Sequence, residues 1–328
     1  MNPSTHMIRI FDAAQTRRAL PYPALCDALA DMLQAHRTGR IVAPERMVVS
    51  IAAEGTLLVM PASDGRIAIT KLVTVHPQNR QGSRPTIQGE VIVMDAANGR
   101  RLGIIDGITV TARRTAAVSA LAARRLAPDP AGPLLIVGAG TQARAAPDPA
   151  GPLLIVGAGT QARSHLEAFR EVLSVQQVFI TSRTRENAEK LAVFARSLEL
   201  RVQVLQHSEP VLKDVTLIVT ATNSASPVIG GELRPDAFVA AVGAFTPSMA
   251  ELAADLVRRS RLFADSLEGV QAEAGDFIQA GIDWERVRPL AEAIEEQRPE
   301  EGPVIFKSVG HAMFDLAAAR LAFSEGGH

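Results

Sequence analysis

Apolar positions along the chain change their period twice. Over residues 11–36 they recur near helical spacing, with Leu20, Leu25, Leu29 and Leu33 close to one face. The period then falls to two. Met47–Ile51, residues 56–60, Ile67–Val75, residues 90–94 and residues 101–105 read as short strands, and Asp64-Gly65 and Asn98-Gly99 join two pairs of them as hairpins. This predicts an antiparallel sheet. Residues 109–126, rich in Ala and Arg, read as a helix leading out of it. Beyond residue 150 strands and helices alternate: Leu153–Val156, 178–181, a helix over 185–198, then 202–205, Leu217–Thr220, 238–242 and 262–264. Alternation of this kind predicts a parallel sheet covered by helices. The last segment, Ile305 to Gly310 with a helical run over 311–322, is expected to pack back toward the first domain.

The expected fold class is therefore α/β: a Rossmann-type parallel-sheet domain plus an α+β domain built on an antiparallel sheet. The boundaries read as 1–126 with 304–328 for the antiparallel-sheet domain and 146–303 for the parallel one. Residues 127–145 are an insert between them. Residues 127–144, APDPAGPLLIVGAGTQAR, are repeated letter for letter at 146–163. One perfect tandem copy is not solenoid architecture; it reads as a recent duplication or a cloning or sequencing artefact. A helix started from the first copy would meet Pro147, Pro149 and Pro152, whereas the second copy runs uninterrupted into a helix. The second copy is therefore expected to form the first strand of the parallel sheet. Looping out the first costs little closure entropy, but it leaves Leu134 to Val137 as an apolar segment without a partner.

That second copy carries the most informative motif. After the apolar run Leu153-Leu154-Ile155-Val156 comes Gly157-Ala158-Gly159-Thr160-Gln161-Ala162, a G-x-G-x-x-A turn, followed by a helical run from Arg163. Gly157 suits the tight turn, Gly159 lets backbone approach a pyrophosphate, and Ala162 permits close helix packing. A nicotinamide-type dinucleotide is the expected ligand, with Ala158, Thr160 and Gln161 completing the turn. The next strand ends in Thr181-Ser182-Arg183-Thr184 where an NAD enzyme would usually place Asp or Glu. Ser182, Arg183 and Thr184 suit a 2′-phosphate instead, so NADP(H) is expected.

Composition narrows the class without adding chemistry. An apolar fraction of 47% with 21% charged residues is that of a soluble globular protein, and 328 residues suit two domains. The net charge of -1 gives no reason to expect nucleic acid or an anionic membrane as partner. The single cysteine, Cys26, excludes an internal disulfide and a Cys-rich zinc site. Met1 to Arg9 lacks the apolar core of a signal peptide and no apolar run is long enough to span a bilayer, so a cytoplasmic enzyme is expected. The seven histidines show no paired metal spacing, and His165 in the cofactor helix is expected to face solvent. Neither a G-x-S-x-G elbow nor a Walker A motif appears.

Two further groups stand out. Strand period places Lys71 on one face with Ile67, Ile69, Val73 and Val75. Buried there, its ammonium would be desolvated and readied for proton transfer or for holding a carboxylate; on an exposed edge strand it would be a gatekeeper against aggregation. Arg113 and Arg114 fall in the first turns of the helix over 109–126, where positive charge opposes the helix dipole, a conflict that a bound anion would remove. Arg114 with Arg46 could hold a carboxylate in bidentate fashion, or both could be solvated.

Together, Thr111-Ala112-Arg113-Arg114-Thr115-Ala116-Ala117, the GAGTQA turn followed by Ser164-His165, the stretch from Ser182 to Glu189, and Phe306-Lys307-Ser308-Val309-Gly310 resemble the ornithine cyclodeaminase and mu-crystallin family. The resemblance covers most of the chain outside the duplicated segment. It implies a homodimer formed through the sheet domain, with Arg46, Lys71, Thr86, Arg114 and Gly310 around an amino or imino acid. It also implies that Thr222, Val242 and Ser308 line the cofactor, and that Lys71 is catalytic. In cyclodeaminases of this family the loop after the fifth strand of the nucleotide domain carries an aspartate that handles the substrate amine; Phe245 stands there in this chain. A phenyl ring cannot accept a proton, so the resemblance points to the ketimine reductase branch, which reduces 1-pyrroline-2-carboxylate and 1-piperideine-2-carboxylate to proline and pipecolate. An amino-acid dehydrogenase, a cyclodeaminase, a non-catalytic NADPH-dependent binder of small aromatic hormones, or a chain disabled by its duplication are the other readings.

Overall fold

The computed structural model describes residues 8–81, 84–128 and 151–324. The chain divides into two compact units, Met1–Arg114 with His311–His328, and Thr115–Gly310.

The first unit is built on a six-stranded sheet. Its strands are β1 (Arg9–Phe11), β2 (Met47–Ile51), β3 (Gly55–Ser63), β4 (Ile67–Val75), β5 (Ile87–Asp95) and β6 (Arg101–Asp106), in the order β1-β6-β5-β4-β3-β2. All pairings are antiparallel except β1 with β6. The Asp64-Gly65 turn closes as predicted: Asp64 accepts from the amides of Arg66 and Ile67, and Gly65 takes the left-handed conformation, φ +79°. Where one helix was expected over 11–36, there are two, α1 (Ala13–Ala19) and α2 (Tyr22–Arg37), and Phe11 belongs to β1. Pro21 is the reason for the break: it has no amide proton to give and stands as the N-cap of α2, whose buried stripe is Leu25, Leu29, Met32 and Leu33. Helix α3 (Gly107–Leu126) follows β6 directly, its Thr109 amide donating to the Asp106 carboxylate at 2.7 Å.

The second unit holds an eight-stranded sheet, parallel throughout. Its elements in chain order are β7 (Leu153–Val156), α4 (Thr160–Leu173), β8 (Gln177–Thr181), α5 (Arg185–Ser197), β9 (Arg201–Val204), β10 (Leu217–Thr220), β11 (Phe238–Ala241), α6 (Ala254–Arg259), β12 (Arg261–Ala264), α7 (Leu267–Glu273), α8 (Gly275–Ala280), β13 (Val287–Pro289), α9 (Leu290–Ala293) and β14 (Val304–Lys307). The strand order is β13-β12-β14-β11-β10-β7-β8-β9. The chain therefore winds outward from β7 to β9, then starts again at β10 on the other side, and the order reverses between β7 and β10. Strands β7, β10, β11 and β14 are buried along their whole length, which explains why they read as continuous apolar runs rather than alternating ones. The second copy of the duplicated string supplies β7 and the turn after it. Most of the first copy, including Leu134 to Val137, lies outside the described residues.

One expectation needs correction. Val304–Lys307 does not join the first unit: it hydrogen-bonds between β11 and β12 in the parallel sheet. Its four residues are wholly buried and apolar up to Lys307, a composition that only an interior strand accommodates. The chain returns to the first unit afterwards, as α10 (Ala312–Ser324), which packs on α2 and on β3, β4 and β5.

Candidate functional site

In the first unit the structure settles which way Lys71 faces. Strand β4 lies between β3 and β5, so it is no edge, and Ile69, Lys71 and Val73 form its buried face. Asp315, at the fourth position of helix α10 and its one acidic residue, is fully buried and stands 2.8 Å from Lys71 Nζ. Arg114 Nε approaches the other oxygen of Asp315 at 3.4 Å, and Thr111 Oγ1 lies 3.3 Å from Lys71 Nζ. Two buried cations thus share one buried carboxylate. Neither Asp315 oxygen nor Arg114 Nε has an aligned hydrogen bond, so the charges are paired while hydrogen-bonding capacity is left over. Burial lowers the Lys71 ammonium from 10.5 to about 8; Asp315 pulls it upward, while Arg114 and Arg46 push it down. Arg46, half-buried ahead of β2, therefore belongs electrostatically to this group.

Other predicted members fall differently. Arg113 needs no external anion: Nε donates to the Leu20 carbonyl at 2.7 Å, and its guanidinium lies 3.8 Å from the Tyr22 ring centre, tying α3 to the break between α1 and α2. Thr86 precedes β5 and its carbonyl accepts from the His76 amide, five rungs of the β4–β5 ladder away from Lys71. It is not among the groups gathered around the ammonium.

In the second unit the predicted cofactor residues converge on the carboxyl edge of the parallel sheet. Gly157, Ala158 and Gly159 follow β7, and Thr160 and Gln161 open α4. Ser182, Arg183 and Thr184 follow β8, with Arg183 and Thr184 exposed, and no carboxylate closes that strand. Thr222 follows β10, Val242 follows β11, and Ser308 and Gly310 follow β14. The turn fits a dinucleotide. Gly157 has φ +119°, and a Cβ there would lie 2.5 Å from the Ala221 carbonyl, which only glycine allows. A Cβ on Gly159, by contrast, would meet nothing within 4 Å, so backbone amides at the α4 N-terminus stand open to a phosphate. Gln161 Oε1 is buried without a hydrogen-bond partner, an acceptor left over for a ligand.

His165 is the second correction. It is wholly buried, because 162, 165, 166 and 169 form the inward stripe of α4. Nδ1 lies 2.7 Å from the Gln161 carbonyl and Nε2 lies 3.0 Å from Ser119 Oγ. The carbonyl can only accept, so in the neutral ring Nδ1 carries the proton and Nε2 is left as an acceptor facing Ser119 Oγ, whose one proton also has the Thr115 carbonyl at 3.1 Å within reach. Burial depresses the imidazole to about 4, so it is neutral near pH 7.

Sequence reasoning missed the acidic partners. Glu251 is fully buried and joins the ends of two strands: Oε1 accepts from the amide and hydroxyl of Thr222 (2.6 and 2.9 Å), and Oε2 from Thr220 Oγ1 and the amides of Gly243 and Ala244. Asp276 accepts from the amides of Glu251 and Leu252 and pairs with Lys307 at 2.7 Å, both side chains fully buried. Asp265 accepts from Ser308 Oγ and the Gly310 amide, each at 2.7 Å. The available signals were a lone acid in an apolar helix for Asp315 and a lysine ending a buried strand for Lys307. Phe245, in the loop after β11, is 48% exposed. Among the described residues no cluster of His, Cys, Asp or Glu could hold a metal ion, and no helix is long and apolar enough to cross a membrane.

Comparison with known proteins agrees with this architecture. The chain is 38% identical over 313 residues to Delta(1)-pyrroline-2-carboxylate reductase 1 of Burkholderia multivorans, covering 95% of this chain and 94% of the relative. It is 38% identical over 315 residues to the Delta(1)-pyrroline-2-carboxylate/Delta(1)-piperideine-2-carboxylate reductase of Azospirillum brasilense, covering 96% and 95%. The fold matches that of Thermococcus litoralis Delta(1)-pyrroline-2-carboxylate reductase, solved in complex with NADH and L-proline, with a TM-score of 0.84 at 24% identity over 97% of each chain. The model of the ornithine cyclodeaminase/mu-crystallin family matches residues 6–146 and 145–325, breaking where the duplicated strings meet. With that coverage, and with a dinucleotide turn and a buried Lys-Arg-Asp group on its two units, the chain belongs to the ornithine cyclodeaminase/mu-crystallin family.

Proposed function

We propose that this chain is an oxidoreductase that reduces the C=N bond of cyclic ketimines with a nicotinamide cofactor, taking 1-pyrroline-2-carboxylate to proline and 1-piperideine-2-carboxylate to pipecolate. The observation that carries this reading is the buried Lys71, perturbed toward neutrality and set beside Arg114 and Asp315, in a chain whose relatives are reductases of these imines. Arg46 and Arg114 hold the substrate carboxylate, the pairing for which a guanidinium fork is shaped. Lys71 orients the ring and delivers a proton to its nitrogen. When bound, the reduced cofactor would supply hydride from its own C–H bond for the ring carbon beside the carboxylate, so that with the proton from Lys71 one C–H and one N–H bond form as the C=N π bond is lost. Positioning and charge supply most of the acceleration. Phe245 offers no proton acceptor where a cyclodeaminase would need one, and an apolar wall suits a planar ring.

NADP(H) is the proposed form of the cofactor, on the chemistry of Ser182, Arg183 and Thr184. The edge strand β2 supports a homodimer: Met47 and Val48 are 61% and 62% exposed, and among the described residues no strand pairs with its outer side.

The test is loss of NADPH absorbance when the purified chain meets each imino acid. Turnover is expected, and Lys71→Ala should lower kcat roughly a hundredfold or more with cofactor affinity nearly unchanged. An unaltered kcat would return Lys71 to a structural role. Release of ammonia from an open-chain amino acid, without imine reduction, would move the activity to the cyclodeaminases.

A further inference from the structure

The charged side chains fully buried in the second unit are unequal in sign. Glu251, Asp265 and Asp276 are all at most 2% exposed, and among the described residues Lys307 is the one buried cation of that unit. All four stand at or beside the carboxyl ends of β10, β11, β12 and β14. Each accepts hydrogen bonds from fixed donors. Glu251 meets fixed amide protons on both oxygens, Asp276 Oδ1 meets two amides, and Asp265 meets amides on both oxygens. Burial raises the proton affinity of Glu251, and Lys307 with the Thr222 bonds opposes that rise.

This side of the sheet is where the redox half of a dinucleotide belongs. The phosphate turn follows β7 and the proposed ribose-recognition residues follow β8, so a bound dinucleotide would set its adenosine half over the first mononucleotide-binding half and its other nucleoside across the switch point toward β10 and β11. A dihydronicotinamide ring is neutral. When its C4–H bond breaks with the electron pair moving to the imine carbon, the ring is oxidised and gains one positive charge. Prearranged negative charge favours that change most in a dry, low-dielectric site.

We propose that Glu251, Asp265 and Asp276, only partly offset by Lys307, form an electrostatic device that selectively stabilises the oxidised nicotinamide and so draws hydride out of the reduced cofactor. Glu251 also positions the Thr222 and Gly243 backbones, which approach so closely that a Cβ on Gly243 would collide with Thr222 and with Glu251 itself. The proposal rests on the cofactor part of the reading above and is independent of which imine is reduced.

The experiment is equilibrium binding of NADP⁺ and NADPH, and in parallel NAD⁺ and NADH, without substrate. Glu251→Gln and Asp265→Asn each remove one negative charge and should weaken the oxidised form by roughly tenfold while changing the reduced form less than about twofold. Lys307→Gln adds net negative charge and should shift the ratio the other way. Equal changes in both redox forms would overturn the proposal and leave these residues a structural role. Should the variants fail to fold, the unmodified chain decides: it should hold the oxidised form at least as tightly as the reduced form, and a reduced form bound more than about tenfold tighter overturns the device. Redox-selective binding without imine reduction would sink the ketimine reading alone, and binding of neither form would sink both.

Discussion

At the scale of single residues, the fate of Lys71 turns on one partner. Burial brings its ammonium down to about 8, so around neutral pH most copies carry the proton that the proposed reduction would consume, and the loss of that proton should set a basic limb in kcat near pH 8. Asp315 is the largest influence holding the proton on; burial, Arg114 and Arg46 all act to remove it. Asp315→Asn should therefore move that limb to lower pH, by one unit or so, with kcat at pH 6 far less affected than kcat at pH 8. A pH profile of kcat for the two proteins checks this, and an unmoved limb would assign the titration to another group. The sequence carried Lys71's inward face through strand parity, but it could not carry Asp315. The two residues are brought together only because α10 packs over β4, an association between chain segments 244 residues apart by their numbers.

Elements were legible in proportion to how local their causes are. The hairpin turns, the G-x-G-x-x-A turn and α5 follow from glycine conformations and apolar periods that neighbours in sequence create. The single helix expected over 11–36 failed where Pro21 outweighed a run of leucines, a local cause given too little weight. His165 was misjudged because the stripe of α4 that turns inward depends on what the helix packs against. The same elements supply a test of cofactor choice. At the end of β8 Arg183 is exposed, and the proposed NADP(H) preference gives it a charge-assisted contact with a 2′-phosphate. Arg183→Ala should weaken NADPH by roughly tenfold or more and leave NADH almost unchanged, as read by titration of protein fluorescence. Tighter binding of NADH than of NADPH by the unaltered chain would sink the NADP(H) reading.

For the whole molecule, the duplicated string is the feature to remove first. Deleting residues 127–145 places Ala146-Pro147-Asp148 after Leu126, the same letters that Ala127-Pro128-Asp129 supply there, so the exit from α3 is chemically unchanged. Equal imine turnover by the full and shortened chains is expected, measured by NADPH absorbance; activity confined to the shortened chain would make the duplication a disabling lesion. Assembly has its own test. Val48→Asp puts a charge on the exposed β2 and should convert a dimer to monomer in sedimentation velocity, whereas a monomeric unaltered chain would remove the homodimer from the proposal. By itself the sequence determined the fold class, the nucleotide turn and the copy of the duplicated string that forms it, because glycine geometry, proline's missing amide and apolar period act within a few residues. Tertiary structure alone decided that β14 lies inside the parallel sheet, that Arg113 is spent on Tyr22 and Leu20, and that Lys71 faces Asp315. It also paired Asp276 with Lys307 and set Glu251 and Asp265 on backbone amides at the strand ends. A buried charge is tolerable only where the fold brings an opposite charge or hydrogen-bonding groups to it, wherever in the chain those groups happen to stand.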